Sequence, residues 1–241
     1  MPAKTLRVSI IVPTLNEETR IRDTLASLRR AAPGAEIIVS DGASTDRTVA
    51  LARKAGARVV FEAKDPKRRK SIGAGRNKGA RAARGEILWF VDADTRPEPA
   101  FYKSMLRAFA DPQVVGAGCK IMPRDASFMD EALFEFLNLL VFSSIVVGRP
   151  TIAGNCVAYR RDAFFEIKGF DEEMEASEDQ DLCIRISRLG RVVYMKDVTA
   201  TTSSRRLKKM GWLGLAADWG KTTLNFLFGK KNRSYAIVRE G

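Results

Sequence analysis

The 241-residue sequence contains no histidine and only three cysteines. Without imidazole, a metal site here has to be built from carboxylates and other oxygen donors, which suit a hard cation such as Mg²⁺ or Mn²⁺. Cys119, Cys156 and Cys183 are far apart, odd in number and in no metal-ligand spacing. They are expected as free structural thiols in a reducing compartment. Long apolar runs are missing too. The longest uncharged stretch, Phe136 to Gly148, has thirteen residues, whereas a spanning helix needs about 20, so it cannot cross a bilayer unaided. Met1 to Lys4 lack the charged start, apolar centre and small-residue cleavage site of a secretory signal, which sets a cytosolic expectation. Aromatic residues are absent between Phe61 and Trp89.

That last absence matters because the same interval is the most basic of the chain, with Lys64, Lys67, Arg68, Arg69, Lys70, Arg76 and Lys78. With no rings on which bases could stack, single-stranded nucleic acid is a poor partner for it, and no nucleic acid is expected. The formal net charge of +12 still calls for an anion, either substrate phosphate or an anionic membrane surface. A hydrophobic content of 45% in 241 residues is enough for one α/β domain with a sizeable core.

The first hundred residues alternate between strand and helix patterns. Arg7 to Val12 is a β-branched run closed by Pro13. A loop follows, Thr14-Leu15-Asn16-Glu17-Glu18, and then a helix bearing Ile21, Leu25 and Leu28 at helical spacing. Glu36 to Ser40 reads as a second strand, Asp41 to Asp46 as a turn and cap, Thr48 to Ala55 as a short helix and Arg58 to Glu62 as a third strand. A helix from about Arg76 to Arg84 leads to the apolar strand Ile87 to Val91, which stops at Asp92-Ala93-Asp94. Such alternation predicts a mainly parallel sheet covered on both faces, with a ligand crevice above the carboxyl ends of its strands. Asn16, Glu17, Asp41, Asp92 and Asp94 all fall there. Asn16 and Asp41 also suit capping and turns.

Four stretches in order resemble the signatures of family-2 glycosyltransferases of the GT-A fold: Ser9 to Glu17, Val39 to Asp46, Gly75 to Gly79 with Ala83 and Gly85, and Asp92-Ala-Asp94. The resemblance implies that Pro13, Thr14, Asn16, Glu17 and Asp41 border the nucleoside of a nucleotide-sugar donor. It places Arg76 near that donor, Asp92 at the ribose or the metal's shell, Ala93 between them, and Asp94 as ligand of Mn²⁺ or Mg²⁺. In the second half, Gly154-Asn155-Cys156 resembles the family's acceptor side. Ser177-Glu178-Asp179-Gln180-Asp181-Leu182 resembles its Glu-Asp-x-Asp-Leu motif, which implies Asp179 as general base beside Glu178. A carboxylate there also favours the start of a helix from Gln180 to Leu189. After a short strand at Val192 to Met195 comes Thr201 to Arg206, where the resemblance places Arg206, or Arg205, near the diphosphate. Trp212 stands six residues beyond Arg206, unlike the adjacent Arg-Trp of processive members, which favours transfer of one sugar.

Two stretches exceed what a soluble catalytic core needs. Phe128 to Val147 is apolar around most of its circumference, and Trp212 to Phe228 carries Trp and Phe between basic clusters that include Lys208, Lys209, Lys230, Lys231 and Arg233. This pattern suits interfacial helices on anionic lipid, like those of the family's dolichyl- or polyprenyl-linked mannosyl- and glucosyltransferases and of cellulose-synthase-like members. A buried helix or a dimer contact is the alternative for each.

The expectation is one GT-A domain over 1–241. Its nucleotide-sugar half spans 1–97 and its acceptor half 98–206, with an interface helix at 128–147 and an amphipathic membrane-associated helix and tail at 207–241. The expected activity is inverting, metal-dependent transfer of one hexose, with GDP-mannose or a UDP-hexose as donor. The acceptor is a lipid-linked glycan, and the location is the cytoplasmic face of the membrane, attached peripherally or shallowly. Direct transfer to polyprenyl phosphate fits less well, since an ionised phosphate needs no base. The rivals are a non-catalytic membrane- or nucleic-acid-binding module and a nucleotidyltransferase.

Overall fold

The computed structural model describes residues 6–61 and 71–227. The basic residues Lys64 to Lys70 and the C-terminal flank beyond 227 lie outside this set. The β-α alternation appears as β1 (Val8–Thr14), α1 (Ile21–Ala31), β2 (Glu36–Asp41), α2 (Thr48–Lys54), β3 (Arg58–Phe61), α3 (Ile72–Ala82) and β4 (Ile87–Val91). These four strands pair in parallel in the order β3-β2-β1-β4. The remaining strands are β5 (Arg96–Pro97), β6 (Val114–Arg124), β7 (Cys156–Arg160) and β8 (Arg191–Ser203), and they extend one eight-stranded sheet as β4-β7-β6-β8-β5. β7 is antiparallel to β4 and β6, β5 is antiparallel to β8, and β6 and β8 are parallel. The sheet is therefore mixed.

Period-two alternation sends successive residues of the central strands into two different cores. Ile10, Val12 and Trp89 join α1 and α4 (Pro99–Phe109) on one face, where Trp89 stacks on Phe101 at 4.7 Å between centroids. Ile11, Phe90 and Tyr159 join α3, α6 (Arg161–Glu166) and α7 (Glu178–Ile186) on the other, where Phe90 meets Phe164 and Phe170 at 5.4 and 5.2 Å.

Two elements differ in extent from expectation. α3 begins at Ile72, because Ser71 Oγ caps it by accepting from the Ala74 N–H at 3.1 Å. Its glycines permit close docking: a Cβ on Gly79 would stand 2.3 Å from Ile11 Cγ2. β8 runs on from the expected Val192–Met195 to Ser203, across a register shift that pairs Cys119 with Met195 but Lys120 with Thr199. The Thr201-Thr-Ser stretch, expected after a strand, is the end of one.

α5 (Phe128–Val146) opens with a capping box in which Ser127 and Asp130 exchange hydrogen bonds. It exposes Phe128, Phe136, Leu139, Leu140 and Val146. Asn138 is the one residue of this helix that is fully buried. β7 pairs with β6 only as far as Gly118, and beyond that point the Asn138 side-chain amide takes over. Its Oδ1 accepts from the Ile121 N–H at 3.0 Å and its Nδ2 donates to the Ile121 carbonyl at 2.8 Å. Tyr194 Oη donates to the same Oδ1 at 3.0 Å. α8 (Arg205–Leu227) is broken at Gly211, whose φ is 68°, and Trp212 Nε1 donates to Asp130 Oδ1 at 3.0 Å. Among the described residues, no helix is long and apolar enough to cross a membrane.

Asn138→Ala should lower stability by about 2 kcal/mol or more, since it strips the partners from two backbone groups of a buried strand, each worth about 1–3 kcal/mol when left unsatisfied. Equilibrium urea denaturation measures this, and an unchanged midpoint would remove Asn138 as the pin of α5.

Candidate active site

A cavity of about 1040 Å³ opens above the carboxyl ends of β1 and β4. The loops that form its rim are clipped to one another. Asn16, in the left-handed region at φ 57° where Asn is tolerated, donates its N–H to Ser44 Oγ and accepts from the Thr45 N–H, both at 2.9 Å. The Glu17 N–H donates to Thr48 Oγ1 at 2.8 Å. Every residue selected from the sequence lines the cavity except Asp41. Asp41 is 1% exposed and builds the turn: it accepts from the Ser44 N–H at 2.8 Å, from Ser44 Oγ and from Thr14 Oγ1 at 3.2 Å. In this structure its hydrogen bonds go to the turn, behind the cavity wall. Pro13, Thr14 and Ala93 contribute wall surface.

Asp94 and Glu17 form one acidic pair. Arg205 Nη2 lies 3.3 Å from Glu17 Oε1 and 3.8 Å from Asp94 Oδ2, while Thr202 Oγ1 donates to Asp94 Oδ1 at 3.3 Å. Burial raises the Glu17 pKa, Arg205 opposes the rise and the Asp94 charge adds to it. Glu17 Oε2 is buried without a hydrogen-bond partner. Among the described residues this oxygen has only the Arg20 guanidinium, at 3.8 Å, as an ion-pair contact, and its place beside the Asp94 carboxylate fits a divalent cation. Among the described residues no cluster of three or more acidic, histidine or cysteine side chains could hold a metal alone. An ion here would therefore share its coordination with ligand oxygens, as Mg²⁺ and Mn²⁺ do with diphosphates.

Asp92, expected as a second metal ligand, is committed elsewhere: its Oδ1 receives Arg76 Nη2 at 2.9 Å. Burial and the Asp94 charge push its pKa up, and Arg76 opposes this. Arg76, expected against the donor, is 2% exposed and reaches protein groups with both terminal nitrogens. Nη1 meets Glu178 Oε1 at 2.8 Å, and Nη2 also donates to the Gly154 carbonyl at 2.9 Å. A Cβ at position 154 would stand 2.7 Å from Arg76 Nη1, so a side chain there would have to displace the guanidinium.

Asp179 faces the cavity from the first turn of α7, which starts at Glu178, two residues before the start expected at Gln180. Its Oδ2 accepts from the Gly154 N–H and its Oδ1 from the Gln180 N–H, both at 2.8 Å. Glu178 is buried, and desolvation followed by the Asp179 charge pushes its pKa up to about 7 against the pull of Arg76. The Asn155 carbonyl accepts from the Asp92 N–H at 3.1 Å, and its buried Oδ1 has no hydrogen-bond partner. Arg206 lines the wall next to Arg205. Sequence reasoning undervalued Arg205 and passed over Thr202, although both lie in the Thr201 to Arg206 stretch that it singled out. It also missed that the far end of the cavity is apolar, walled by Phe134, Leu137, Leu140 and Val141 of α5 and Leu207 and Leu215 of α8.

Residues 9–167 match the model of the family described as Glycosyl transferase family 2. The pre-mycofactocin glycosyltransferase of Mycobacterium tuberculosis is 27% identical over 97% of this chain and 50% of its own length, so the chain spans about half of that relative. Two solved structures share the fold. The mannosyltransferase PcManGT of Pyrobaculum calidifontis, in complex with GDP-Man and Mn²⁺, superposes with a TM-score of 0.70 at 24% identity, over 92% of this chain and 66% of that one. Glucosyl-3-phosphoglycerate synthase of M. tuberculosis, with Mn²⁺, UDP and glucosyl-3-phosphoglycerate, gives 0.63 at 21% identity, over 96% and 83%.

The Glu178 environment has a measurable consequence. Between the ordinary glutamate value of 4.5 and about 7, the folded protein holds a proton that the unfolded chain has released. The stability contributed at this residue is full below that window, falls as pH rises through it and levels off above. Urea denaturation at about pH 5 and about pH 8 should show the wild type losing stability relative to Glu178→Gln, which cannot ionise. A constant difference between the two proteins contradicts the raised value.

Proposed function

The chain belongs to glycosyl transferase family 2, whose model covers residues 9–167, and from that premise we propose that it is an inverting hexosyltransferase. It takes one sugar from a nucleoside diphosphate hexose and delivers it to a hydroxyl of a lipid-linked acceptor at the cytoplasmic face of the membrane. The observation that carries this reading is the presence of two unlike acidic centres on one cavity. Asp94 and Glu17 stand beside Arg205, while Asp179 faces the same space, held by the Gly154 N–H.

In the proposed reaction Asp179 removes the proton of the acceptor hydroxyl. The oxygen forms a bond to the anomeric carbon from the face opposite the diphosphate, and the bond from that carbon to the diphosphate oxygen breaks with its electron pair. Arg205 and Arg206 stabilise the charge that develops on the leaving group. A divalent cation held by Asp94, with Glu17 beside it, would supply further charge neutralisation when bound.

GDP-mannose as donor is supported by the PcManGT complex, which holds GDP-Man and Mn²⁺. The UDP of the glucosyl-3-phosphoglycerate synthase complex makes a UDP-hexose the second candidate. A lipid-linked acceptor is supported by the apolar end of the cavity together with the exposed apolar face of α5. That arrangement lets an acyl or isoprenoid chain leave the site toward a bilayer on which α5 rests.

Incubated with Mn²⁺ and GDP-mannose, UDP-glucose or UDP-N-acetylglucosamine, the protein should release nucleoside diphosphate from one of them. Asp94→Ala should abolish the metal-dependent release. Asp179→Asn should keep nucleotide binding while losing transfer by about 10²–10⁴-fold. Formation of pyrophosphate from a nucleoside triphosphate would identify a nucleotidyltransferase instead.

A further inference from the structure

Arg76 lies in the Gly75 to Gly79 stretch whose resemblance implies a donor contact, yet its terminal nitrogens are occupied by the protein. Nη1 is held by Glu178 at 2.8 Å, Nη2 by Asp92 and the Gly154 carbonyl at 2.9 Å each, and the guanidinium lies 5.3 Å from the centre of the Phe170 ring. What these partners have in common is Asp179. Gly154 is the residue whose N–H donates to Asp179 Oδ2 at 2.8 Å, so one residue lies between the guanidinium and the carboxylate: Arg76 holds the C=O of the peptide after its Cα and Asp179 the N–H of the peptide before it. Glu178 is the chain neighbour of Asp179 and follows Ser177, which adopts the left-handed conformation at φ 63°. Holding Glu178 therefore also fixes the angle at which α7 begins. Asp92, the third partner, stands two residues before Asp94.

We propose that Arg76 is a positioning residue for the general base, fixing Asp179 through the Gly154 backbone and Glu178 and tying it to the Asp92–Asp94 turn, and that it is not a contact for the donor. The inference rests on the reading of Asp179 as base. The geometry calls for arginine because the fork serves three acceptors that a lysine ammonium on a flexible stem cannot serve together, while Nε is buried without a hydrogen-bond partner. The titratable groups around Asp179 are Glu178 and Cys183 on its own helix, Arg76 on α3 and Tyr159 on β7.

The test compares wild type, Arg76→Lys, which keeps the charge but not the fork, and Asp179→Asn. It uses two readouts: binding of GDP and of UDP with Mn²⁺ by calorimetry, and kcat with KM, read separately, for the donor that is turned over. In Arg76→Lys, nucleotide binding should stay within about threefold of wild type. There kcat should fall about 10–100-fold with KM for the donor little changed. An unchanged kcat overturns the proposal. Nucleotide binding weakened in proportion to kcat/KM, with kcat retained, overturns it in favour of a donor contact. If Asp179→Asn turns over as fast as wild type, the assignment of the base itself fails, and the positioning role with it.

Discussion

A buried guanidinium organises this protein. Arg76 is withdrawn from water and stays charged among Asp92, Glu178 and Asp179, so its environment has to supply the anions and acceptors that solvent would otherwise provide. Meeting that requirement brings together α3, the turn after β4, the loop before β7 and the first turn of α7, elements that sequence separates by up to about a hundred residues. Removing one partner of such a buried pair typically costs about 3–5 kcal/mol, enough to make the arrangement a condition of folding. Gly154 follows from it directly, since a side chain there would have to displace the guanidinium.

Around this hub the cavity is divided by chemistry. One part carries Glu17, Asp94 and the two arginines at the start of α8, suited to a diphosphate with its cation. The next carries Asp179, suited to a hydroxyl. The last is walled by leucine, valine and phenylalanine from α5 and α8. The length of β8 is what closes this sequence of environments: by running on to Ser203 it delivers Thr202 to Asp94 and turns Arg205 inward. α5 is attached by the Asn138 amide, which substitutes for a missing strand along β6, and its outer apolar surface is left exposed.

The sequence made the parallel half of the sheet legible, because β-branched runs ending in Pro13, Asp41 and Asp92 mark both the strands and the edge at which they stop. Asp94, Gly154 and the Glu178-Asp179 turn were legible as motifs, and the structure brings them to one cavity. The partnership of Arg76 was not, since its acceptors lie 16, 78 and 102 residues away and a basic residue near a glycine-rich stretch suggests phosphate first. The burial of Asp41 behind the wall was not legible either, because the same side chain serves a turn or a ligand equally well. The full extent of β8 was hidden by Lys196 and Asp197, whose charges interrupt the apolar pattern where the strand slips register against β6. The role of Asn138 was masked by the apolar run around it.

The account stands or falls on direct displacement, with Asp179 and the leaving diphosphate on opposite sides of the anomeric carbon. The anomeric configuration of the sugar first formed from an α-linked nucleotide donor, followed by NMR before mutarotation equilibrates a hydrolysis product or on the glycoside formed with acceptor, tests this most directly. A β-configured product is the result the account predicts. An α-configured product would mean retention, and would contradict the assignment of Asp179 as the base of a single inverting step.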